Sequence, residues 1–484
     1  MITHPIIRTI LVHLLFYCNW NHIIIQDTKN KEGDILEQNQ IFGQMPMKKL
    51  VVKMSTPVVI SMIIQALYNM VDSLFVAQLG LKELTALGLA SPIQMVIIAI
   101  SNGIGSGMNS AVSRKSGAGK HDEMGRAVGN AITLILFAAA LLALFGLFGT
   151  RSYFQLCSYD ADVIELGTEY LSICCIFYLG EFVSIIGQRI LQVTGQPNWG
   201  LFAFVLGAVF NIIFDPILIF GLCGFPALGI RGAAIATVCG QALGGLVAIL
   251  ICTIWKKGIA LKARDFVPSK DILEICKTGA PAAVALAVSA VMSFGMNQIL
   301  KADAIAVAVF TAYYKLWSFS VMPVNGVAQS MIPVIGYNYG ARDKKRLDFC
   351  ISIVLKFSVI VSVLFAVVFW VFAPQLISLF DNGMNGDIFL DTGTRALHII
   401  AVSVLIAGVS RMTSNLFQGV GNGVPSLVYA ALSQCVVLLP VAAILVKVLG
   451  TDWVWPAFII AEVVSGIVVI FLYRKNYKKY IQNL

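Results

Sequence analysis

Charged residues are scarce in this chain: Asp, Glu, Lys and Arg make up 12% of its 484 residues, whereas a soluble globular protein has about 25%. Hydrophobic residues reach 58%, above the ~45–50% of soluble proteins. This composition excludes an ordinary soluble protein and indicates a membrane protein with many spans. The net charge of +9 does not indicate nucleic-acid binding, because the sequence has no basic patch with interleaved aromatic residues.

Motifs for catalysis and for metal binding are also absent from the sequence. The ten Cys residues are scattered without a Cys-x-x-Cys pair, so we interpret them as small core residues. No His-Glu-x-x-His motif and no Gly-x-x-x-x-Gly-Lys-Ser/Thr phosphate loop occurs. Tyr159-Asp160 resembles half of an intramembrane aspartyl protease pair, but no Gly-x-Gly-Asp partner follows. An intramembrane enzyme is therefore a disfavoured alternative, and we expect no cofactor.

Apolar runs of spanning length dominate the chain from Lys48 onward, since a transmembrane helix needs ~20 residues. Twelve runs cover approximately 50–79, 84–110, 128–149, 168–191, 201–220, 232–255, 280–300, 305–335, 350–373, 396–418, 426–449 and 453–473. They predict an all-α polytopic membrane protein with 12 transmembrane helices. Residues 1–46 do not match this pattern, so we predict a dispensable N-terminal extension and expect a chain that starts at Met45 to insert and transport normally.

An internal repeat divides the chain into two halves, with an offset of about 224 residues. Pro57 and Pro281 open the first and seventh runs, and Gln192-Val-Thr-Gly after the fourth run matches Gln418-Gly-Val-Gly after the tenth. Because six spans separate the copies, the halves share one orientation, which predicts two six-helix lobes related by a parallel repeat. We predict an N-lobe at 47–258, a cytoplasmic linker at 259–279, and a C-lobe with a cytoplasmic tail at 280–484.

Most Lys and Arg residues lie in alternate connections, on the side that includes Lys48, Arg114, Lys256 and Arg474. Positively charged connections tend to stay in the cytoplasm, so both termini are predicted to be cytoplasmic. We expect a multi-pass, monomeric protein of the cell membrane.

The first apolar run carries a polar stripe that ends in a carboxylate. Gln65, Asn69 and Asp72 are spaced to share one face of a helix, and Tyr68 lies one turn before Asp72. A charge at the bilayer centre costs at least about 2.5 kcal/mol, so Asp72 is expected to face protein or water. We interpret Gln65, Tyr68 and Asn69 as candidates for lining a cavity.

A second carboxylate lies in the fifth run, where Asn211 and Asp215 are four residues apart and Pro216 follows. Both acids lie at a similar depth, so Asp72, Asn211 and Asp215, with Thr237, form a candidate site for H⁺ or Na⁺. Because Pro216 disturbs the preceding turn, we predict a hinge there. The alternative is that the two acids face different directions and pair with other helices.

Further charged residues inside apolar runs include Glu181, Lys315, Arg411 and Glu462. Glu181 either lines the cavity or is structural, Lys315 is a further cavity-lining candidate, and any of the C-lobe residues can form salt bridges between helices. In the second half, Met296 and Leu439 stand roughly where Asp72 and Asp215 stand in the first. The cation site is therefore predicted to belong to the first half alone.

Taken together and in order, four segments resemble the multidrug and toxic compound extrusion (MATE) family of bacterial efflux transporters. They are Leu67-Tyr-Asn-Met-Val-Asp-Ser-Leu-Phe-Val, Arg189-Ile-Leu-Gln-Val-Thr-Gly, Asn211-Ile-Ile-Phe-Asp-Pro-Ile-Leu-Ile-Phe-Gly and Pro333-Val-Ile-Gly-Tyr-Asn-Tyr-Gly-Ala. The resemblance implies two six-helix lobes arranged as a V and export of organic cations driven by H⁺ or Na⁺. It also implies a cation site at Asp72, Asn211, Asp215 and Thr237.

The leading hypothesis from the sequence is thus a secondary-active multidrug exporter that exchanges amphipathic organic cations for H⁺ or Na⁺. The alternative is a flippase of lipid-linked or amphipathic lipid substrates, since related folds move such molecules. Flippases of that kind tend to carry several cationic residues in the cavity, whereas this N-lobe offers mostly acids.

Overall fold

The computed structural model describes residues 38–254, 259, 261–380 and 386–484. All regular structure in these ranges is helical. The α-helices in chain order are α1 Met47–Ala77, α2 Leu81–Gly117, α3 His121–Phe148, α4 Thr150–Cys157, α5 Ala161–Ile176, α6 Leu179–Val193, α7 Pro197–Phe220, α8 Ile230–Thr253, α9 Lys270–Leu300, α10 Ala304–Gly340, α11 Lys344–Val371, α12 Ala373–Ser378, α13 Gly386–Gly419, α14 Val424–Ala431, α15 Leu438–Leu449 and α16 Pro456–Tyr480.

The predicted all-α fold with 12 spans is confirmed. Within the described ranges, 11 helical segments are long and apolar enough to cross a membrane, and the pair α5 and α6 makes the twelfth with a bend of 45°. The sequence predicts one uninterrupted run there, whereas the helix breaks at Phe177 and Tyr178. In the eleventh span, one π-helical turn, Leu432–Val436, joins α14 to α15.

The two lobes are the N-lobe, α1–α8, and the C-lobe, α9–α16, and the linker between them is shorter than predicted. Helix α9 begins at Lys270, because the Ser269 hydroxyl accepts a hydrogen bond from the Asp271 amide and caps the helix. The residues before it pack on α3, where the Asn130 side chain donates to the carbonyls of Asp265 and Val267. Residues 270–279 therefore belong to the C-lobe, and the predicted N-lobe end at 258 lies outside the described residues.

Glycines bring α2 of the N-lobe against α9 and α10 of the C-lobe. A Cβ atom on Gly103 would lie 2.7 Å from the Gly279 carbonyl oxygen, and one on Gly117 would clash with the Tyr337 carbonyl oxygen. Only residues without a side chain permit this approach, which is the usual way in which transmembrane helices pack closely.

Ion pairs join the lobes at the same end of the molecule. Arg114 on α2 contacts Glu274 at 2.5 Å, and Asp271 contacts Lys115 at 3.0 Å and Arg126 at 2.8 Å. Arg189 extends this contact deeper, because it bonds to Gln329 on α10 across the lobe boundary. The lobes are therefore tied together at the end that carries the predicted cytoplasmic connections.

The segment just before α1 packs against the N-lobe. Gln38 donates to the Val193 carbonyl at 2.7 Å and accepts from the Ser116 hydroxyl at 2.8 Å. The Ile41 side chain is 5% exposed and lies against Gly195. Residues 38–44 therefore extend the folded N-lobe, although the sequence predicts an extension through residue 46.

The same segment also contacts the C-lobe. The Tyr337 hydroxyl donates to Asn39 at 2.6 Å, and its ring stacks on Phe42 at 5.5 Å. Arg346 donates to the carbonyls of Phe42 and Met45, at 2.9 Å each. The predicted boundary at 46/47 thus separates α1 from residues that contact both lobes. Residues 1–37 lie outside the described residues, and their dispensability stays a prediction.

Candidate functional site

The carboxyl groups of Asp72 on α1 and Asp215 on α7 lie side by side inside the N-lobe. Asp215 is fully buried and Asp72 is 9% exposed. The two carboxyl groups are close enough for one to hydrogen-bond to the other when a proton is present. Oδ1 of Asp72 and Oδ2 of Asp215 have no other partner in the described part of the chain. Two carboxylates this close repel each other, so the pair favours a bound proton or cation.

Neutral side chains adjoin the pair. The Asn211 side chain donates to Asp215 Oδ1 at 3.1 Å and approaches the Thr237 hydroxyl on α8 at 3.3 Å. The Oδ1 atom of Asn211 is buried and has no partner among the described residues. Carboxylate, amide and hydroxyl oxygens of this kind suit a hard cation such as Na⁺.

Close packing of α7 on α8 brings Asn211 and Thr237 together. A Cβ atom on Gly207 would lie 2.5 Å from the Gly240 carbonyl oxygen, and one on Gly240 would lie 2.7 Å from that of Gly207. Asn211 lies one turn after Gly207 and one turn before Asp215, so it reaches both α8 and the carboxyl pair. Pro216 lies inside α7, which continues to Phe220.

A small pocket lies beside this group, between α1, α6, α7 and α8. Its lining combines one carboxylate with aromatic, polar and small residues: Tyr68, Glu181, Ser184, Phe204, Gly207, Ala208, Asn211, Thr237, Gly240, Gln241 and Gly244. Tyr68 meets Phe204 edge to face, with 6.5 Å between ring centroids. The cavity therefore places an acidic side chain next to aromatic surface.

Of the cavity-lining candidates from the sequence, the structure places Tyr68 and Glu181 in this lining and the other three elsewhere. Gln65 is half-buried and Asn69 is exposed, and neither belongs to the lining. Tyr68 and Asp72, four residues apart, define the inward face of α1, and Asn69 is rotated away from that face. Lys315 is exposed, with its amine 5.8 Å from the centroid of the Phe380 ring in the C-lobe.

The sequence analysis missed four lining side chains: Ser184, Phe204, Ala208 and Gln241. Gln241 follows Thr237 by four residues, so the helical spacing alone was sufficient to place both on one face of α8. Ser184 and Phe204 carry no such signal, because an isolated Ser or Phe in an apolar run is ordinary helix-packing surface.

Comparison with known proteins agrees with the repeat and with the fold. The MatE family model matches residues 57–217 and again residues 281–444, one match in each lobe. The chain belongs to the MATE family. This is a family of multidrug efflux transporters, so the chain is a multi-pass membrane transporter.

Individual relatives span nearly the whole of this MATE transporter. The multidrug export protein MepA of Staphylococcus saprophyticus is 26% identical over 90% of this chain and 96% of its own length. A protein named FAD transporter from Shewanella oneidensis is 24% identical over 89% and 95%. The solved outward-facing conformation of a multidrug resistance MATE family transporter superposes with a TM-score of 0.84, at 28% identity over 92% of this chain and 98% of that one.

Proposed function

We propose that this MATE transporter exports organic cations in exchange for H⁺ or Na⁺, which binds between Asp72 and Asp215. The buried pair of carboxyl groups on α1 and α7 carries the proposal. A proton or Na⁺ between them removes their repulsion, and Asn211 and Thr237 supply neutral oxygens. Cation binding then changes the free energy of packing α1 against α7. A ligand shifts a conformational equilibrium only if its free energy of interaction differs between the two conformations.

The cavity beside the pair is the proposed substrate site. Glu181 offers a carboxylate, and Tyr68 and Phe204 offer aromatic rings on the same wall. A flat organic cation gains from both, because its charge is attracted by the carboxylate and by aromatic faces. Asn211 and Thr237 belong to the cavity lining and also adjoin the carboxyl pair. This shared wall gives the coupling cation a route to influence the substrate.

The proposal also includes the orientation of the chain in the membrane and a hinge in α7. We place both termini in the cytoplasm, because the basic connections gather on that side. The ion pairs that join the lobes then lie at the cytoplasmic end. Pro216, directly after Asp215 in α7, is the proposed hinge whose bend depends on whether Asp215 is charged.

Transport by the purified protein in phosphatidylcholine liposomes tests this function. Ethidium movement is measured under a pH gradient without Na⁺, under a Na⁺ gradient at equal pH, and without either gradient. We expect at least one gradient to drive accumulation in the direction opposite to the coupling cation. A folded, monodisperse sample that moves no ethidium under either gradient contradicts the proposal.

The same liposomes distinguish the alternatives. A flippase would move a fluorescent phospholipid analogue between leaflets while leaving ethidium in place. An intramembrane enzyme would release a cleaved product from a lipid or peptide substrate. Because all three measurements use one preparation, a negative result for ethidium with a positive result for lipid assigns the function to flipping.

A further inference from the structure

A charged residue in the C-lobe has no role in the cation site. Arg411 lies within α13, eight residues before its end at Gly419, so it is about 12 Å along the helix from that end. Charged side chains inside a membrane bundle are costly and mark ligand or ion sites when they are retained. Arg411 therefore needs a partner or a ligand.

Two aromatic rings flank the Arg411 guanidinium. Its carbon lies 5.2 Å from the centroid of Trp317 on α10 and 5.6 Å from that of Tyr429 on α14. Both distances lie within the ~6 Å range of cation–π attraction. The rings stabilise the positive charge and orient the side chain, but they accept no hydrogen bonds in the guanidinium plane.

One edge of the guanidinium lacks acceptors. The Nε and Nη2 atoms of Arg411 are buried and have no hydrogen-bond partner in the described ranges. These two nitrogens present parallel N–H groups along one edge, the arrangement that binds both oxygens of a carboxylate. Leaving such donors unpaired destabilises the folded state, and more so for a charged group.

Glu462 on α16 does not occupy that edge. Its carboxylate accepts hydrogen bonds from the Tyr429 hydroxyl at 3.2 Å and 3.1 Å. No ion pair within 4.0 Å joins it to Arg411 in the described part of the molecule. Glu462 is 8% exposed, so it balances the charge of Arg411 at longer range while Tyr429 holds it in place.

The helix geometry beside Arg411 is also irregular. Ser433 lies in the π-helical turn Leu432–Val436, one turn after Tyr429, and its buried hydroxyl has no partner among the described residues. Single π-helical turns inside α-helices occur often at functional sites. A buried hydroxyl without a partner and a local widening of the eleventh span thus lie one turn from Tyr429, whose ring flanks Arg411.

We propose that the C-lobe binds the carboxylate of an aromatic organic anion on the free edge of Arg411. The rings of Trp317 and Tyr429 flank the ligand's aromatic part, and the Ser433 hydroxyl lies nearby as a further polar contact. Arg411 and Trp317 are both partly exposed, so the ligand approaches from their side and displaces the side chains that cover the buried Nε and Nη2 atoms. This site is separate from the N-lobe cavity and does not depend on cation coupling.

Binding of two matched probes tests the site. Isothermal titration calorimetry compares 2-naphthoate with the uncharged 2-naphthamide, using the transporter in phosphatidylcholine nanodiscs, where no anionic lipid competes. Because a bidentate, charge-assisted pair is worth about 1.5–3 kcal/mol, we expect naphthoate to bind at least tenfold more tightly than the amide. Equal affinities for the two probes overturn the proposal.

Variants then locate the site. Arg411→Gln is expected to lower naphthoate affinity at least tenfold, to the level of the amide. The affinity of Arg411→Lys is expected to be intermediate, because Lys keeps the charge but lacks the bidentate N–H edge. Lys315→Gln removes the same charge from the same lobe at an exposed position and should leave naphthoate affinity unchanged. Equal losses in Arg411→Gln and Lys315→Gln would indicate a general charge effect and contradict the site.

Glu462→Gln tests whether Arg411 binds a ligand or serves only as the structural partner of Glu462. This test remains available if Arg411→Gln does not fold. Removing the neighbouring negative charge should keep or increase naphthoate affinity, because that charge repels the ligand. If Arg411 serves only to balance Glu462, Glu462→Gln leaves an unbalanced cation and lowers the thermal midpoint without any preference for naphthoate over the amide. That second pattern overturns the proposal.

Discussion

The two lobes repeat the same helices but carry different chemistry at matching positions. In the N-lobe, Asp72 and Asp215 bring two carboxyl groups together between α1 and α7. At the corresponding position of the C-lobe, Met296 is fully buried, and Gly295 on α9 packs against Leu439 on α15. The repeat therefore preserves the contact between helices and replaces a polar pair with apolar packing.

The charges near the lobe centres differ in sign as well. The N-lobe cavity contains the carboxylate of Glu181, whereas the C-lobe holds the guanidinium of Arg411 between two rings. A helical bundle tolerates either sign, because its outer surface faces lipid and its interior can be specialised independently. The comparison indicates that duplicated lobes share a scaffold while each acquires its own ligand chemistry.

The largest expected effect comes from removing one acid of the N-lobe pair. Asp72→Asn should abolish gradient-driven ethidium transport while insertion stays nearly normal, because a neutral amide no longer forms a titratable pair with Asp215. Liposome transport and the yield of monodisperse protein are the measurements. Asp391→Asn, an exposed acid of the C-lobe, serves as the control and should transport normally. Full coupled transport by Asp72→Asn would remove this residue from the coupling site.

Glu181→Gln tests whether the N-lobe cavity selects cations. The variant should raise the KM for ethidium about tenfold, as expected when a charge-assisted contact worth about 1.5 kcal/mol is lost, while the coupling cation still binds. Initial transport rates over a range of ethidium concentrations give the KM, and proton release or ²²Na⁺ binding reports the coupling site. An unchanged KM would make Glu181 a structural residue.

The segment before α1 links the two lobes and is expected to have a moderate effect. Phe42 is 1% exposed and stacks on Tyr337, and truncating a buried Phe to Ala costs about 3–5 kcal/mol in soluble proteins. Phe42→Ala should lower the thermal midpoint by several degrees and shift the protein toward opening at that end. Distances between spin labels on α2 and α10 report the opening.

Two truncations also test whether the segment before α1 stabilises the protein. A variant without residues 1–37 keeps Gln38 and Phe42, whereas a variant that starts at Met45 loses both. The contacts of Gln38, Asn39 and Phe42 lead us to expect that only the second is less stable, which differs from the expectation based on sequence alone. Equal thermal midpoints for both truncations would show that these contacts contribute little.

The smallest effect on binding of the coupling cation is expected at the two repeated prolines. Pro216 follows Asp215 in the N-lobe, and Pro440 follows Leu439 in the C-lobe. Pro216→Ala should leave coupling-cation binding measurable but uncouple it from substrate release, since the bend no longer responds to the charge of Asp215. Pro440→Ala has no adjacent acid and should leave coupling intact. Distances between spin labels on α1 and α7 are measured with and without the coupling cation. If the cation changes these distances equally in Pro216→Ala and in the wild type, the hinge is excluded.

The sequence by itself determined the spans, the repeat and the acidic candidates. A bilayer offers no hydrogen-bond partners, so each crossing requires an apolar, predominantly helical stretch of about 20 residues. That requirement is local, and it can be counted along the chain without knowledge of neighbours. The same reasoning singles out Asp72, Asp215 and Glu181, because a carboxylate within such a run is costly wherever the helix lies.

Only the tertiary structure decided which of these residues meet. Helical spacing fixes the direction of a side chain relative to its own axis, but not the rotation of that helix against its neighbours. That rotation follows from close contacts such as Gly207 on Gly240, which join residues far apart in sequence. The position of Glu181 in the cavity, the contacts of residues 38–45 with both lobes and the free edge of Arg411 all depend on such packing, which no single helix specifies.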